Sequence, residues 1–477
     1  TVVDTQTGQV LAMRGSRDYN YPGFGSNNYA TAFIQPGSSI KPFVFAALFK
    51  QKPDVNYGAG SIVADTPIPQ SIYRTADGTS LANFDNKFRG SIPIRSGLAE
   101  SRNVPAVKAM YITGRDATLN TIHDMGDKAY CTDGPDKDVG LSAAIGGCGL
   151  RQVVHANAFA TIGRMGVYKP VASVLEVKNA EGQTIKKWKD ESKQAVDPQI
   201  AYMLADILSD DTARAPSFGR GASGLNVPGV KTFTKTGTSN IGRYSSNLWM
   251  NSVSPKMVLS LYVGNHEFNK PMGDALSYRI GPTVGKIVES AHKNVFQTDG
   301  TWKPGDWYTQ PAGLQRLTVA GRSDLFPSWY NKNQANPTEK MTFDKVSKKK
   351  ATDCTPESAK EILDVQKFTD PITKKPAYIA PAGYDTTAND DLHKCDDVKP
   401  FVTLINYGSK KITASVSKGT HALQTVEFVV DGQSIGSVAA SESGDYTINY
   451  DGKNKVDITV NVTDTALYTG SASRSFN

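Results

Sequence analysis

The sequence predicts an α+β protein, in which an antiparallel sheet with a helical subdomain is followed by a small all-β sandwich. Three observations predict it. Asn247–Val253 and Met257–Val263 alternate apolar residues on either side of Ser254-Pro255, next to the alternating run Val230–Thr236, which reads as an antiparallel meander. Upstream lie helical runs, one of which, Phe43–Phe49, is apolar on every face and therefore belongs inside a core. Beyond residue 398, short alternating segments are separated by polar turns such as Asp431-Gly432 and Asp451-Gly452, the pattern of a sandwich.

The elements follow in order. Residues 1–13 read as two strands joined at a glycine turn around Gly8. Pro36-Gly37 breaks the chain just before Ser38, and the apolar helix follows. Ile94–Glu100 reads as a helix, and Val104-Pro105 argues for a turn there, because a residue before proline is pushed out of the helical region. From 299 to 397 Lys, Pro, Asn and Asp are frequent and apolar runs are short, which reads as a loop-rich connector. The last stretch holds Phe401–Ile405, Thr413–Val416, Val426–Val430, Ser434–Val438, Tyr446–Tyr450 and Val456–Val462 as strands. The expected domains are thus 1–298, 299–397 and 398–477.

With 477 residues, two or three domains are expected; 39% hydrophobic and 21% charged residues describe a globular chain. A net charge of +7 without a dense basic stripe gives no support for nucleic-acid binding. No stretch is apolar for long enough to span a bilayer, and no signal peptide begins the chain. A start inside a hairpin points to a fragment of a longer protein. Four cysteines allow three disulfide connectivities; the local pairs Cys131–Cys148 and Cys354–Cys395 are favoured, because each closes a loop within one region. Disulfides imply an extracytoplasmic compartment. No metal site is expected, since no Cys-x-x-Cys spacing occurs and His393-Lys394-Cys395 is too slight a pattern. No cofactor is implied.

The chemistry is carried by three motifs in one order: Ser38-Ser39-Ile40-Lys41, Ser101-Arg102-Asn103 and Lys235-Thr236-Gly237-Thr238. A serine three residues before a lysine places a nucleophile and a base on one helix face. Short patterns recur by chance, as at Ser290/Lys293, Ser347/Lys350 and Ser415/Lys418, and Ser38 alone also fits a helix N-cap. Lys-Thr-Gly occurs once, and only the first Ser-x-x-Lys is followed by a buried-helix sequence. The ordered set is the signal. Gly237 is expected where a side chain would block substrate from the strand.

Gln35–Phe43, Asn83–Gly90 running on to Leu98–Val107, and Gly146–Leu150 with Ala158–Gly166 resemble the transpeptidase region of class A penicillin-binding proteins, as does the opening Val3–Gly8. The resemblance implies the penicillin-binding-protein/β-lactamase-like fold for residues 1–298. It implies a D,D-transpeptidase that cross-links peptidoglycan stem peptides, with a D-Ala-D-Ala donor, an amine acceptor and covalent inhibition by β-lactams. It also implies that the chain is a fragment of a bifunctional glycosyltransferase/transpeptidase, held at the membrane only through an anchor absent from this sequence. In that family's roles, Ser38 attacks, Lys41 is the base, Ser101 relays the proton, Asn103 holds Lys41 and the substrate amide, and Lys235 supplies positive charge while staying protonated. Thr236, Gly237 and Thr238 line the substrate, and the backbone N–H groups of Ser38 and Thr238 form the oxyanion hole, worth on the order of 3 kcal/mol per donor removed. The competing readings are a D,D-carboxypeptidase or β-lactamase, which needs a deacylating base that Glu176 and Glu181 do not convincingly supply, and an acylated sensor or wall-binding module without turnover.

Overall fold

The computed structural model describes residues 1–51, 56–75, 78–268, 270–319, 322–331 and 338–477. The chain divides into two compact units, Thr1–Ala335 with Phe368–Ala377, and Asn336–Lys367 with Tyr378–Asn477.

The first unit is built on an antiparallel sheet of β1 (Val2–Asp4), β2 (Val10–Ala12), β3 (Phe233–Ile241), β4 (Tyr244–Val253) and β5 (Met257–Gly264), in the order β3-β4-β5-β1-β2. The amino-terminal hairpin turns at Gly8 (φ +78°), where the Asp4 carboxylate accepts the N–H groups of Gln6 and Thr7. The two-residue period sends neighbours to opposite faces. Met250, Met257 and Leu259 pack with Val284 and Val288 on one side; Trp249, Val253 and Val258 join the main core on the other. Strand β3 starts at Phe233 rather than Val230, because Val227 and Val230 close a turn first, and it runs on through Gly237 to Ile241. It lies at the sheet edge, open along one side.

The helices are α1 (Lys41–Phe49), α2 (Ile94–Ala99), α3 (Asn103–Thr113), α4 (Arg115–Met125), α5 (Gln152–Gly163), α6 (Pro198–Ser209), α7 (Asp211–Phe218) and α8 (Gly281–Ala291). Every residue of α1 is buried, as its uniformly apolar sequence requires. Asp197 caps α6 by accepting the Gln199 N–H, with Pro198 at the first helical position. The turn expected at Val104-Pro105 does not form: both lie in the first turn of α3. Proline is tolerated there because that N–H has no intrahelical partner.

The segment 299–397 contains the hairpin Gln315–Val319/Arg322–Phe326. It also contains a sheet of β6 (Thr338–Asp344), β7 (Lys349–Lys350), β8 (Lys360–Thr369), β9 (Pro376–Ile379) and β10 (Asp385–Asn389), in the order β9-β8-β6-β7-β10. Residues 320, 321 and 332–337 of this segment lie outside the described ones.

The rest of the second unit has seven strands: β11 (Phe401–Gly408), β12 (Lys411–Ser417), β13 (Leu423–Val430), β14 (Gln433–Ala439), β15 (Gly444–Asn449), β16 (Val456–Asp464) and β17 (Thr469–Phe476). They form sheets β11-β12-β15 and β14-β13-β16-β17, whose inward residues, among them Ile412, Val416, Phe428 and Val460, make one core. The sequence reading missed β17, whose run of serines hides its pairing with β16. Cys131–Cys148 and Cys354–Cys395 are disulfide-bonded, one pair in each unit. Among the described residues no helix is long and apolar enough to cross a membrane.

Candidate active site

Ser38 sits in the 3-10 turn Gly37–Ile40 that runs directly into α1, and it is half-buried while Ser39 and Ile40 are enclosed. Three close backbone approaches hold this turn. A side chain at Gly37 (φ +53°) would come within 2.3 Å of the Thr238 carbonyl, one at Gly237 within 2.2 Å of the Pro36 carbonyl, and one at Gly146 within 2.4 Å of the Gly37 backbone. A side chain at Gly237 would thus meet the serine's own turn, a constraint that stands beside the expected one of leaving room for substrate.

Lys41 opens α1 one turn after Ser38 and is completely buried. Its Nζ donates to the Ser101 carbonyl at 2.6 Å and to Asn103 Oδ1 at 2.7 Å. Burial, reinforced by the positive charges of Lys235 and Arg102 and opposed by Asp65, holds it well below the usual lysine range. A neutral amine has two hydrogens, and both have acceptors here, so the lone pair stays available to take a proton.

Ser101 occupies the link between α2 and α3 with φ +61°. Arg102 N–H donates to Gly97 O at 2.9 Å and Ser101 N–H to Leu98 O at 3.0 Å, the paired bonds of a helix end whose left-handed place usually belongs to glycine. A serine in that place carries backbone strain on the order of 1–3 kcal/mol. The reversal sends Ser101 and Asn103 toward Lys41 and buries the Arg102 guanidinium elsewhere. Arg102 Nε meets Asp65 and Nη1 meets Asp85, each at 2.8 Å, and Nη2 donates to the Lys87 carbonyl. Asn83 completes the support, donating to Asp65 at 2.8 Å and accepting the Asn103 N–H at 2.8 Å, while Asn103 Nδ2 donates to Ala82 O.

Lys235, from β3, is buried and donates from Nζ to Ser101 Oγ at 2.7 Å and to the Thr236 carbonyl at 2.9 Å. Burial pulls it down to about 7, which bears on the expectation that it stays protonated: with no anion alongside, its charge is only partly retained at neutral pH. An arriving carboxylate would raise it again. Thr236 is buried, whereas Thr238 is half-buried. Thr238 Oγ1 shares a hydrogen bond with Ser277 Oγ, which also donates to the Gly237 carbonyl. Sequence reasoning missed Ser277, which lies in no motif and belongs to a short turn 39 residues downstream. The structure thus gathers Lys41, Ser101, Asn103 and Lys235 into one hydrogen-bonded cluster beside the Ser38 turn. The other Ser-x-x-Lys strings lie elsewhere: Lys293 pairs with Glu289 on α8, and Ser347 N–H donates to Asp344.

The family model of the penicillin binding protein transpeptidase domain matches residues 1–275. Penicillin-binding protein 1A/1B of Bacillus subtilis (strain 168) is 25% identical over 389 residues, 77% of this chain and 40% of that protein. Penicillin-binding protein 1A of Clostridium tetani (strain Massachusetts / E88) is 28% identical over 348 residues, 69% of this chain and 41% of that protein. The chain therefore spans about two fifths of the length of these relatives. Among solved structures, the PonA1 protein from Mycobacterium tuberculosis in complex with penicillin V superposes with a TM-score of 0.51 at 22% identity, covering 61% of this chain and 77% of that one.

Proposed function

Since the chain belongs to the penicillin-binding protein transpeptidase family, we propose that it is a D,D-transpeptidase acting through a Ser38 acyl-enzyme. The observation that carries the reading is the Lys41 environment, in which both amine hydrogens are engaged and burial disfavours the charge. Lys41 takes the Ser38 hydroxyl proton as Oγ bonds to the carbonyl carbon between the two D-alanines of a stem peptide. As the C–N bond breaks, the proton returns through the Ser101 hydroxyl to the departing D-alanine amine. An amine from a second stem peptide then attacks the ester carbonyl and regenerates Ser38. Lys235 and the Thr236 and Thr238 hydroxyls receive the terminal carboxylate, and the Ser38 and Thr238 N–H groups receive the oxyanion.

Hydrolysis needs a carboxylate placed to activate water. Among the described residues no carboxylate is hydrogen-bonded to Ser38, Lys41 or Ser101; Glu100, next to Ser101 in the chain, is paired with Arg89 at 2.9 Å. This favours an acyl-enzyme that waits for an amine. The same chemistry makes β-lactams acylating inhibitors, and the two disulfides support an oxidising, extracytoplasmic compartment.

The test is incubation with a fluorescent penicillin and measurement of the adduct mass, with Ser38→Ala and Ser347→Ala alongside, followed by a stem-peptide assay with an added amine. A stable adduct lost only in Ser38→Ala, and cross-linked product, are expected. Rapid release of hydrolysed drug would replace the reading with a β-lactamase, and a stable adduct without any peptide turnover would replace it with a sensor.

A further inference from the structure

Directly beneath Ser38 the core contains a second serine, a histidine and an aspartate in line. Ser39 Oγ and His155 Nε2 are 2.9 Å apart, and His155 Nδ1 and Asp127 Oδ2 are 2.7 Å apart. Ser39 and His155 are completely buried and Asp127 is 1% exposed, so no substrate reaches Ser39 and the row is not a second nucleophilic site. We propose that His155 is a positioning residue for the Ser38 nucleophile, acting through Ser39 on the turn Pro36–Ile40. The inference rests on Ser38 being the nucleophile.

His155 lies between the Asp127 carboxylate at Nδ1 and the Ser39 hydroxyl at Nε2. Ser39 Oγ in turn donates to the Pro36 carbonyl at 3.0 Å, closing the turn from inside. His155 thereby links α5 to the residue that follows Ser38 in the chain. Its ring is enclosed by Phe43, Phe159 and Trp249, with centroids 5.6, 5.1 and 5.9 Å away. Exclusion of water strengthens hydrogen bonds in such a place and makes a broken one expensive. Trp249 fixes the turn from its other end, donating from Nε1 to the Gln35 carbonyl at 3.0 Å, and Ser239 Oγ donates to the same oxygen at 3.0 Å. The residues on both sides of Pro36–Ser38 are therefore tied to α5 and to the sheet. The glycine contacts set how near the turn comes to β3, and the Ser39–His155 bond sets its rotation, which aims Ser38 Oγ.

The experiment is stopped-flow acylation by a fluorescent penicillin, resolving the non-covalent dissociation constant from the first-order acylation rate. The variants are Ser39→Ala, His155→Leu, Asp127→Asn and the double variant Ser39→Ala/His155→Leu, each with its Tm. Ser39→Ala deletes one hydroxyl and carries the test even where His155→Leu, which strands the Asp127 carboxylate, does not fold. Its acylation rate is expected to fall about tenfold, the scale of a sub-ångström misplacement, with the dissociation constant kept. The double variant is expected to lose no more than His155→Leu alone, because the two residues act in series. A folded Ser39→Ala with the wild-type acylation rate overturns the inference alone. Wild-type protein that forms no Ser38 adduct overturns the nucleophile assignment, and the inference falls with it.

Discussion

Lys41 and Lys235 meet at one residue: Lys41 Nζ donates to the Ser101 carbonyl at 2.6 Å, and Lys235 Nζ donates to the Ser101 hydroxyl at 2.7 Å. Two buried amines that share a neighbour cannot both keep an ordinary proton affinity. The one facing the Ser38 turn is held well below the usual lysine range by burial and the neighbouring positive charges, and burial holds the one on β3 at about 7.

Acylation by the free protein should therefore follow a bell in pH. The rising limb is Lys41 losing its proton, and it lies well below the ordinary lysine range because the Lys41 pKa is lowered. The falling limb is Lys235 losing the charge that receives a carboxylate, near 7. Second-order acylation rates from pH 5 to 10 check this; a rate that climbs steadily to pH 10 would show Lys41 titrating normally.

Ser101→Gly separates strain from chemistry. Glycine suits φ +61°, so stability should rise by about 1 kcal/mol relative to Ser101→Ala, while both variants lose the hydroxyl and most acyl transfer. Urea midpoints with penicillin labelling of the pair decide it, and equal midpoints would mean that the left-handed backbone carries no strain.

Gly237→Ala should abolish most labelling of Ser38 without touching substrate directly. Its new carbon would lie 2.2 Å from the Pro36 carbonyl, so β3 and the serine's turn must part. A stability loss of about 1–3 kcal/mol is expected. Unimpaired labelling in a folded variant would refute the clamp.

The second unit has its own pH signature at His393. Burial works to lower this histidine, but the Ala466 carbonyl at 2.7 Å and the carboxylates of Asp390 at 2.6 Å and Asp344 at 3.4 Å raise it overall. Burial raises Asp390, yet hydrogen bonds from Thr355, His393 and the Leu392 N–H outweigh it and bring its carboxyl to about 2. His421, Asp397, Asp464 and Tyr468 complete the surroundings. A raised histidine stabilises fully below its unfolded value of about 6.5, and that stability fades as pH climbs through the folded value. The lowered Asp390 stabilises above about 4, fading as pH falls toward 2. Denaturation of the second unit should thus be hardest between about pH 4 and 6.5, and His393→Asn should remove the loss on the alkaline side. A stability curve unchanged by that substitution would exclude the charged histidine.

How much of this was legible in the sequence depended on range. The all-apolar Phe43–Phe49 had one possible place, and the alternation in β4 and β5 declared an antiparallel meander. The motif serines and lysines stood out because their spacing is local. What stayed hidden was fixed by distant partners: Arg102 looks like the variable middle of a motif until Asp65, 37 residues earlier, is found against its guanidinium. Ser277 and His155 declare themselves only through Thr238 and Ser39. The left-handed turn at Ser101 has no glycine to announce it, and Pro105 signals a break that the first turn of a helix does not feel.

The three glycines around the Ser38 turn meet main chain rather than side chains, and this has a bearing on how the protein can change. Side-chain contacts drift as sequences diverge, each loss offset by a neighbour's gain. An interlock of bare backbone has no such neighbour to adjust. Core substitutions away from the interlock and from the Ser39–His155–Asp127 row can therefore erode the first unit's thermal tolerance while leaving the serine's aim intact, whereas a single methyl at the interlock is expected to lose the aim at once. Durability and reactivity in this chain are then largely separate, with the residues that hold the serine's aim confined to Gly37, Gly146, Gly237 and the Ser39–His155–Asp127 row.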